Sequence, residues 1–293
     1  MWIAIAALIV LLIGILFWWL FSRTEGVYLG RQVVIWLYDR YASRYDKAKT
    51  THMALEVSYL SHPLRQALAD RPAPMVLDVA TGTGRLPLVL LRTSKFRGTV
   101  VGIDLSQAML GIAAEKLAAE IDVNRLYLMH APAEALPFTD GSFDAVTCLE
   151  ALEFMSSPRR VLTEIVRVAR PGAMIILSNR QGLDALLMPG KVMSHQRLRS
   201  LLESRFGLRV FAIDESWSEL YALVWAKKPG TSSGTSTGTH LSNIWRCPRC
   251  QRTELKPSDD HWTCANCRQR VIRQQNRVIA YFQAQSSQKS GGN

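Results

Sequence analysis

The spacing of apolar positions changes several times along the chain, and each change marks a different kind of segment. Trp2 to Phe21 is an unbroken apolar run apart from Gly14, and residues 1–22 carry no charged side chain. Twenty residues at about 1.5 Å rise reach about 30 Å, the thickness of a bilayer's hydrocarbon core. A buried core helix is seldom so long or so uniformly apolar. A cleaved signal peptide would show a basic start and a small-x-small cleavage site, and neither is present. The run predicts a retained transmembrane anchor. In "RQVVIWLYDRYASRYDKAKT", Val33, Val34, Leu37, Tyr38, Tyr41 and Tyr45 then recur at helical spacing.

From about residue 75 to 227, short apolar runs alternate with helical patterns, as in βαβ units with a parallel sheet. The runs predict strands at 75–79, 99–103, 126–129, 145–149 and 173–177. Two more, 208–213 and 220–226, lie close enough for an antiparallel hairpin. Helices are expected at 107–119, behind Ser106 as N-cap, and at 158–168, with proline in the first turn. Five parallel strands closed by a hairpin make a doubly wound α/β sheet of seven strands. The expected organisation is a transmembrane anchor (1–22), amphipathic cap or lid helices (23–74) and the sheet domain (75–228). After these come a flexible Gly/Ser/Thr linker (229–242), a small cysteine-bearing module (243–281) and a disordered tail (282–293).

Charge refines this picture. The net charge is +11, and from Lys228 onward ten Lys/Arg stand against three Asp/Glu, a balance of +7. Such a tail suits nucleic acid, anionic headgroups or an acidic partner, or is simply a solvated basic surface. Arg23, Arg31, Arg40, Arg44, Lys47 and Lys49 follow the apolar run and no basic residue precedes it. The positive-inside rule then places the N-terminus outside and the rest of the chain on the cytoplasmic face, with Trp18 and Trp19 at the inner interface.

Candidate chemistry begins at "VLDVATGTGRL". A strand carrying Asp78 turns through Gly82 and Gly84 into a helix, and glycines there let backbone approach a ligand. A dinucleotide site needs a third glycine where Pro87 stands, and no G-K-[ST] follows, so neither a dinucleotide fingerprint nor a P-loop fits. Asp104, in "VVGIDLSQAML" at the end of the next strand, is placed to accept both hydroxyls of a ribose. The strings "VLDVATGTG", "VVGIDLSQAML", "AEALPFTDGSFDAVTCLEAL" and "VLTEIVRVARPGAMIIL" resemble the successive motifs of class I S-adenosylmethionine-dependent methyltransferases. The similarity is greatest to the ubiquinone/menaquinone C-methyltransferase group, whose cap helix "YDRYASRYD" also resembles.

The resemblance implies a Rossmann-like methyltransferase sheet, and it implies roles. Asp78 orients the amino group of the methionine moiety, and the backbone of Ala80, Thr81, Gly82 and Gly84 packs against the cofactor. Asp104 takes the ribose and Leu105 lies against adenine. Ala133 and Glu134 approach the adenine edge, and Leu149 and Glu150 lie beside the sulfonium. In one departure, Pro132 stands where the family has an Asp that reads the adenine amino group, which shifts adenine recognition toward backbone. His130 is expected to be a strand-end surface residue. Glu150 and Glu153 are weak candidates for a base, for an anion complementing the sulfonium, or for solvated helix residues. Tyr38, Tyr41 and Tyr45 either line a lid or pack their helix, and Cys148 is expected in the core.

Four of the five cysteines, Cys247, Cys250, Cys264 and Cys267, form C-x2-C-x13-C-x2-C. Two such knuckles supply a closed set of four thiolates, which predicts a structural zinc with no open position for catalysis. The string "WRCPRC…HWTCANCRQRVIRQQNRVIAYF" resembles zinc-ribbon subunits that partner RNA and protein methyltransferases, and ribbons fused to some methyltransferase chains. The leading expectation is a membrane-anchored methyltransferase acting on a small lipophilic acceptor, a quinone precursor or lipid. A second is an RNA or protein methyltransferase whose ribbon arginines contact phosphates while Trp245 and Trp262 stack bases or pack the ribbon. A third is a catalytically degenerate, membrane-anchored adaptor.

Overall fold

The computed structural model describes residues 1–49, 53–92, 96–231, 241–253, 255–274 and 277–281. Most of the expected linker and the whole expected tail lie outside these residues.

The apolar run forms α1 (Trp2–Trp18), which continues through a wider turn at Trp19–Arg23. Among the described residues it is the one helix long and apolar enough to cross a membrane, and none of its most apolar stretch is buried against the protein. A core helix of this composition would be covered. Next come α2 (Arg31–Lys49) and three consecutive helical stretches, Met53–Glu56, Val57–Ser61 and His62–Ala67, together called α3.

The sheet strands are β1 (Met75–Val79), β2 (Thr99–Asp104), β3 (Leu126–His130), β4 (Phe143–Cys148), β5 (Ala169–Arg180), β6 (Arg209–Asp214) and β7 (Tyr221–Lys227). Their order is β3-β2-β1-β4-β5-β7-β6. The first five strands are parallel, and β7 lies antiparallel between β5 and β6, so the terminal hairpin closes the sheet. Strands β1 and β4 are buried along their whole length, which explains their continuous apolar runs. Strand β5 runs longer than its apolar core suggests. Ala169 pairs with Phe143, and the ladder to β7 carries it on to Arg180.

Each face of the sheet has its own layer. On one side lie α3, α4 (Arg85–Leu91), α5 (Gln107–Lys116) and α6 (Ala118–Asp122). The expected helix 107–119 breaks at Leu117, although its N-cap is as anticipated, with the Ser106 hydroxyl accepting from Met109 N at 3.1 Å. On the other side lie α7 (Pro158–Val168) and α9 (His195–Ser204), and between β5 and α9 comes the short α8 (Gly182–Leu186), which buries none of its residues. Of these, α7 buries Val161, Leu162, Ile165 and Val168, a single stripe facing the sheet.

The cysteine module holds α10 (Leu241–Ile244) and the antiparallel strands β8 (Leu255–Pro257), β9 (His261–Cys264) and β10 (Arg270–Ile272). It shares the core of the large domain. Its last segment covers the otherwise free edge of β3: Ile279 N donates to Leu128 O, and His130 N donates to Ile279 O, both at 2.9 Å. Around this seam Thr139 N donates to Ile244 O and Arg246 N to Pro137 O, each at 2.8 Å. Trp245 is completely buried, edge-on to Trp262 at 5.0 Å. An exposed strand edge invites unwanted pairing, and the module removes that liability. Replacing Trp245 with alanine should cost about 3–5 kcal/mol in denaturant unfolding of the full chain. A loss under about 1 kcal/mol would mean that the module is not packed on the sheet domain.

Candidate functional site

The chain leaves β1 through a turn in which Ala80, Gly82 and Gly84 adopt positive φ of 57°, 54° and 76°. Thr81 N donates to Ile103 O at 2.9 Å, which stitches the turn to β2. Gly82 N donates to Asp104 Oδ2 and Ser106 N to Asp104 Oδ1, each at 2.8 Å. Both carboxylate oxygens are thereby oriented, with acceptor capacity left over. A Cβ on Gly82 would meet nothing within 4 Å, because open space lies there. At Gly84 it would lie 2.9 Å from Leu117 Cδ1, so that glycine serves helix packing instead of cavity lining.

The space above Gly82 is a cleft of about 820 Å³, its open mouth included, lined by Ala80, Gly82, Asp104, Leu105, Ala133, Glu134, Leu149 and Glu150, among others. A smaller one of about 400 Å³ adjoins it, sharing Ala80, Gly82, Leu149 and Glu150 and adding Asp78, Thr81, Glu56 and Arg85. Apart from Gly84, every residue expected to hold the cofactor borders one of these two spaces. Asp78 sits deep, accepting from Thr81 Oγ1 at 2.7 Å and Thr147 Oγ1 at 2.6 Å. Burial pushes its carboxyl up to about 6, against the pull of those two hydroxyls. Burial also raises Asp104, opposed by backbone N–H donors.

Glu134 deserves comparison with Pro132, two positions earlier. Both Glu134 carboxylate oxygens are buried and accept no hydrogen bond among the described residues, and Arg31 Nη1 stands 3.7 Å away. Unsatisfied buried acceptors on a cavity wall suit an N–H donor from a ligand. His130, expected at the surface, is instead buried. Its Nε2 lies 3.1 Å from Leu105 O, and burial lowers its pKa. Its ring lies against the Leu105 carbonyl and the Gln107 amide, while its backbone N–H is taken by Ile279 O of the ribbon.

The tyrosine-bearing helix α2 roofs the larger cavity with Val34, Ile35, Tyr38 and Tyr45. It is pinned at both ends of the roof: Ser106 Oγ donates to Asp39 Oδ1 at 2.5 Å, and Thr83 Oγ1 to Asp46 Oδ1 at 2.6 Å. Beyond it a third space, about 970 Å³, is lined by Phe21, Ser22, Glu25, Leu37, Tyr41, Arg180, Leu220 and Tyr221. This cleft meets the first cavity at Tyr38, Tyr45 and Glu150.

Glu150 borders all three spaces and holds a positive φ of 52°. Its Oε1 accepts from Arg85 Nη2 at 3.2 Å, and Arg85 also pairs with Glu56. Glu153 lines none of these three spaces. Its carboxylate accepts from Arg180 Nε at 3.0 Å and from the Tyr221 hydroxyl at 2.7 Å, beneath the third cleft. Burial raises its pKa, with Arg180 opposing. Its place is to hold Arg180 in the cleft wall. Sequence reasoning missed Arg85, Arg180, Glu56 and Tyr221, since nothing in their local strings marks residues that meet across elements. Cys148 is buried in the core, and Trp245 and Trp262 are buried too, so neither indole is available to stack bases.

The four ribbon cysteines converge. Their sulfurs all lie within 4.8 Å of one another, with Cys247–Cys267 and Cys250–Cys264 at 3.6 Å. A tetrahedral metal with ~2.3 Å bonds to sulfur separates its ligands by about 3.8 Å, so the cluster fits such an ion. His261 hydrogen-bonds to Asp260 and stands outside the group.

Residues 77–177 match the family described as Methyltransferase domain. The demethylmenaquinone methyltransferase of Clavibacter sepedonicus is 33% identical over 141 residues, covering 48% of this chain and 55% of that protein. The ubiquinone/menaquinone biosynthesis C-methyltransferase UbiE of Geobacter sulfurreducens is 35% identical over 102 residues, covering 35% and 40%. The chain thus spans about half the length of the curated relatives it matches, or less. Among solved structures, a chain of the complex between the Haloferax volcanii Trm112 methyltransferase activator and its methyltransferase superposes with a TM-score of 0.50. Its identity is 21%, and the match covers 66% of this chain and 98% of that one. An S-adenosyl-L-methionine-dependent methyltransferase from Methanococcus maripaludis gives a TM-score of 0.51 at 14% identity, covering 67% and 95%. These two likenesses are of fold.

The purified chain should carry stoichiometric bound metal by elemental analysis, and Cys264→Ser should lose it together with thermal stability. Full stability in a metal-free chain would leave the cluster without a structural role.

Proposed function

We propose that this chain, whose residues 77–177 match the methyltransferase-domain family within a seven-stranded α/β sheet, is a membrane-anchored S-adenosylmethionine-dependent methyltransferase acting on a small lipophilic acceptor, such as a quinone precursor or lipid-like molecule. The observation that carries this reading is the third cleft. It begins at Phe21 and Ser22, at the end of the apolar helix, and meets the cofactor-sized cavity at Glu150. An acceptor dissolved in a bilayer has a short path along it. The relatives named for menaquinone and ubiquinone biosynthesis add weight to a quinone-like acceptor.

The residues present fit the cofactor. Asp104 would take the ribose hydroxyls, Leu105 and Ala133 would hold the adenine, and Glu134 would accept from its amino group in place of the missing family Asp. In the smaller cavity Asp78 would take the ammonium of the methionine end and Arg85 its carboxylate. When bound, S-adenosylmethionine supplies a methyl group already activated on a sulfonium. The chain's own task is alignment and exclusion of water. The α2 roof, with Tyr38 and Tyr45, closes the space, and positioning of this kind contributes ~7–11 kcal/mol. Glu150 is an anion at the junction, complementing positive charge and within reach of a proton released by the acceptor. Zinc is the metal proposed for the ribbon, where four thiolates leave no open position and its role is structural. The basic residues after α1 favour an external N-terminus and a cytoplasmic catalytic domain.

Titration calorimetry of the full chain in detergent should detect S-adenosylmethionine binding, weakened about 10–100-fold by Asp104→Ala through the loss of two ligand hydrogen bonds. Binding a cation favours the ionised form of Asp78, whose pKa in the free chain is about 6. Affinity should be flat above that pH and fall below it, by up to about tenfold per unit. Asp78→Asn should flatten the profile, whereas an unchanged slope would remove Asp78 from the site. Methyl-label transfer with cell extract should place the label in the lipid fraction. Label confined to RNA or protein would contradict the acceptor class.

A further inference from the structure

Between β5 and α9 the chain makes an excursion that the cofactor site does not use. Helix α8 and the turn after it wrap around the last turn of the apolar helix. Arg23 Nη2 meets Asp184 Oδ1 at 2.5 Å, Trp19 Nε1 donates to Leu187 O at 3.0 Å, and the Tyr28 hydroxyl donates to Pro189 O at 2.7 Å. The Trp19 and Tyr28 rings stack at 5.1 Å, with the Lys191 ammonium 5.9 Å from the Tyr28 ring. These contacts hold α8 level with Trp19–Arg23. Yet Leu183 and Leu186, three positions apart and so on one helix face, are 77% and 76% exposed. A single exposed leucine is ordinary. Two on one face, in a segment fastened to the end of a bare apolar helix, make a directed surface.

We propose that α8 is a second membrane contact. Leu183 and Leu186 enter the boundary between headgroups and acyl chains of the same bilayer that α1 crosses. The inference rests on the membrane reading of α1 and adds orientation to it. Three observations favour lipid as the occupant. The indoles of Trp18 and Trp19 mark the depth at which such rings settle in a bilayer, and α8 is fastened there. The Lys191 ammonium, over the Tyr28 ring in the turn after α8, brings positive charge to the same segment, which suits phosphate headgroups, whereas Arg23 is taken up by Asp184. Phe17 and Trp18, at the adjoining end of α1, are themselves more than half exposed, so the face continues a surface already apolar. A single helix is a swivel, whereas two contacts fix the tilt of the domain. The cleft wall formed by Phe21, Leu37 and Leu220 then opens on the bilayer surface.

The test uses the full chain in phosphatidylcholine/phosphatidylglycerol vesicles, with an environment-sensitive fluorescent amino acid placed at position 186 by codon suppression. A control chain carries the probe at position 123, which precedes β3 at the opposite end of the sheet from the end of β5. Flotation and carbonate resistance report on α1. Quenching by acyl-chain-brominated lipid reports on α8. The expected result is a carbonate-resistant chain with a blue-shifted, quenched probe at 186 and an unquenched probe at 123. Leu183→Asp should abolish the quenching at 186 while vesicle retention persists. Retention with an unquenched 186 probe overturns the second contact and leaves the anchor standing. Loss of retention overturns the anchor reading and this inference with it. Energy transfer between copies labelled at 186, without lipid quenching, would give the face to a second copy and also overturn it.

Discussion

Two buried carboxylates that form no ion pair among the described residues govern this molecule. Asp78 and Asp104 stand near the carboxyl ends of neighbouring parallel strands; the β1–β2 register pairs Asp78 with Gly102, so Asp104 lies two residues further along its strand. Each is held by hydrogen bonds from hydroxyls or backbone amides and raised in pKa by burial. Keeping such groups ionised away from water is costly unless positive charge or donors arrive to meet them. The left-handed turn at Ala80 and Gly82 keeps the space beside them open, and a cationic, hydroxyl-bearing ligand relieves the cost. The cofactor reading follows from that pair of hydrogen-bonded carboxylates without a cationic partner among the described residues more than from the presence of glycines.

The rest of the fold serves the same space from three directions. The roof helix α2 is pinned by Asp39 and Asp46 to residues of the nucleotide turn and the following helix cap. The ribbon stiffens the far edge, pairing with β3 one strand away from Asp104 and taking the backbone N–H of His130, whose ring meets Leu105 O. Part of the tail's positive charge goes into this docking, since Arg277 pairs with Asp122 and Arg246 with Asp140. That use weakens the case for a tail reserved for nucleic acid. On the third side the Arg180–Glu153–Tyr221 group forms a rigid polar floor for the cleft leading from the apolar helix.

Much of this was legible beforehand, for a physical reason. Strands covered on both faces read as continuous apolar runs, so β1 and β4 stood out, and the turn chemistry at Asp78, Gly82 and Asp104 is local. The four cysteines are equally local, two knuckles each complete in four residues. What stayed hidden depends on distant segments meeting. His130 looks like a surface residue until the Leu105 carbonyl and Gln107, just past the end of β2, close over its ring. Glu153 looks like a candidate base until Arg180 and Tyr221 claim it. Gly84 reads as a ligand contact until Leu117 is seen packed against it, and α8 carries no motif at all. Trp245 is a similar case, since an indole beside arginines suggests stacking until the ribbon folds over it.

The most direct measurement of the central claim is a crystal structure of the full chain with S-adenosylhomocysteine, the demethylated form of the proposed cofactor. The account requires the ribose against Asp104, the adenine amino group at Glu134 and the amino-acid end beside Asp78. Ligand density elsewhere, or a folded chain whose cavity above Gly82 is filled by its own side chains, would contradict it.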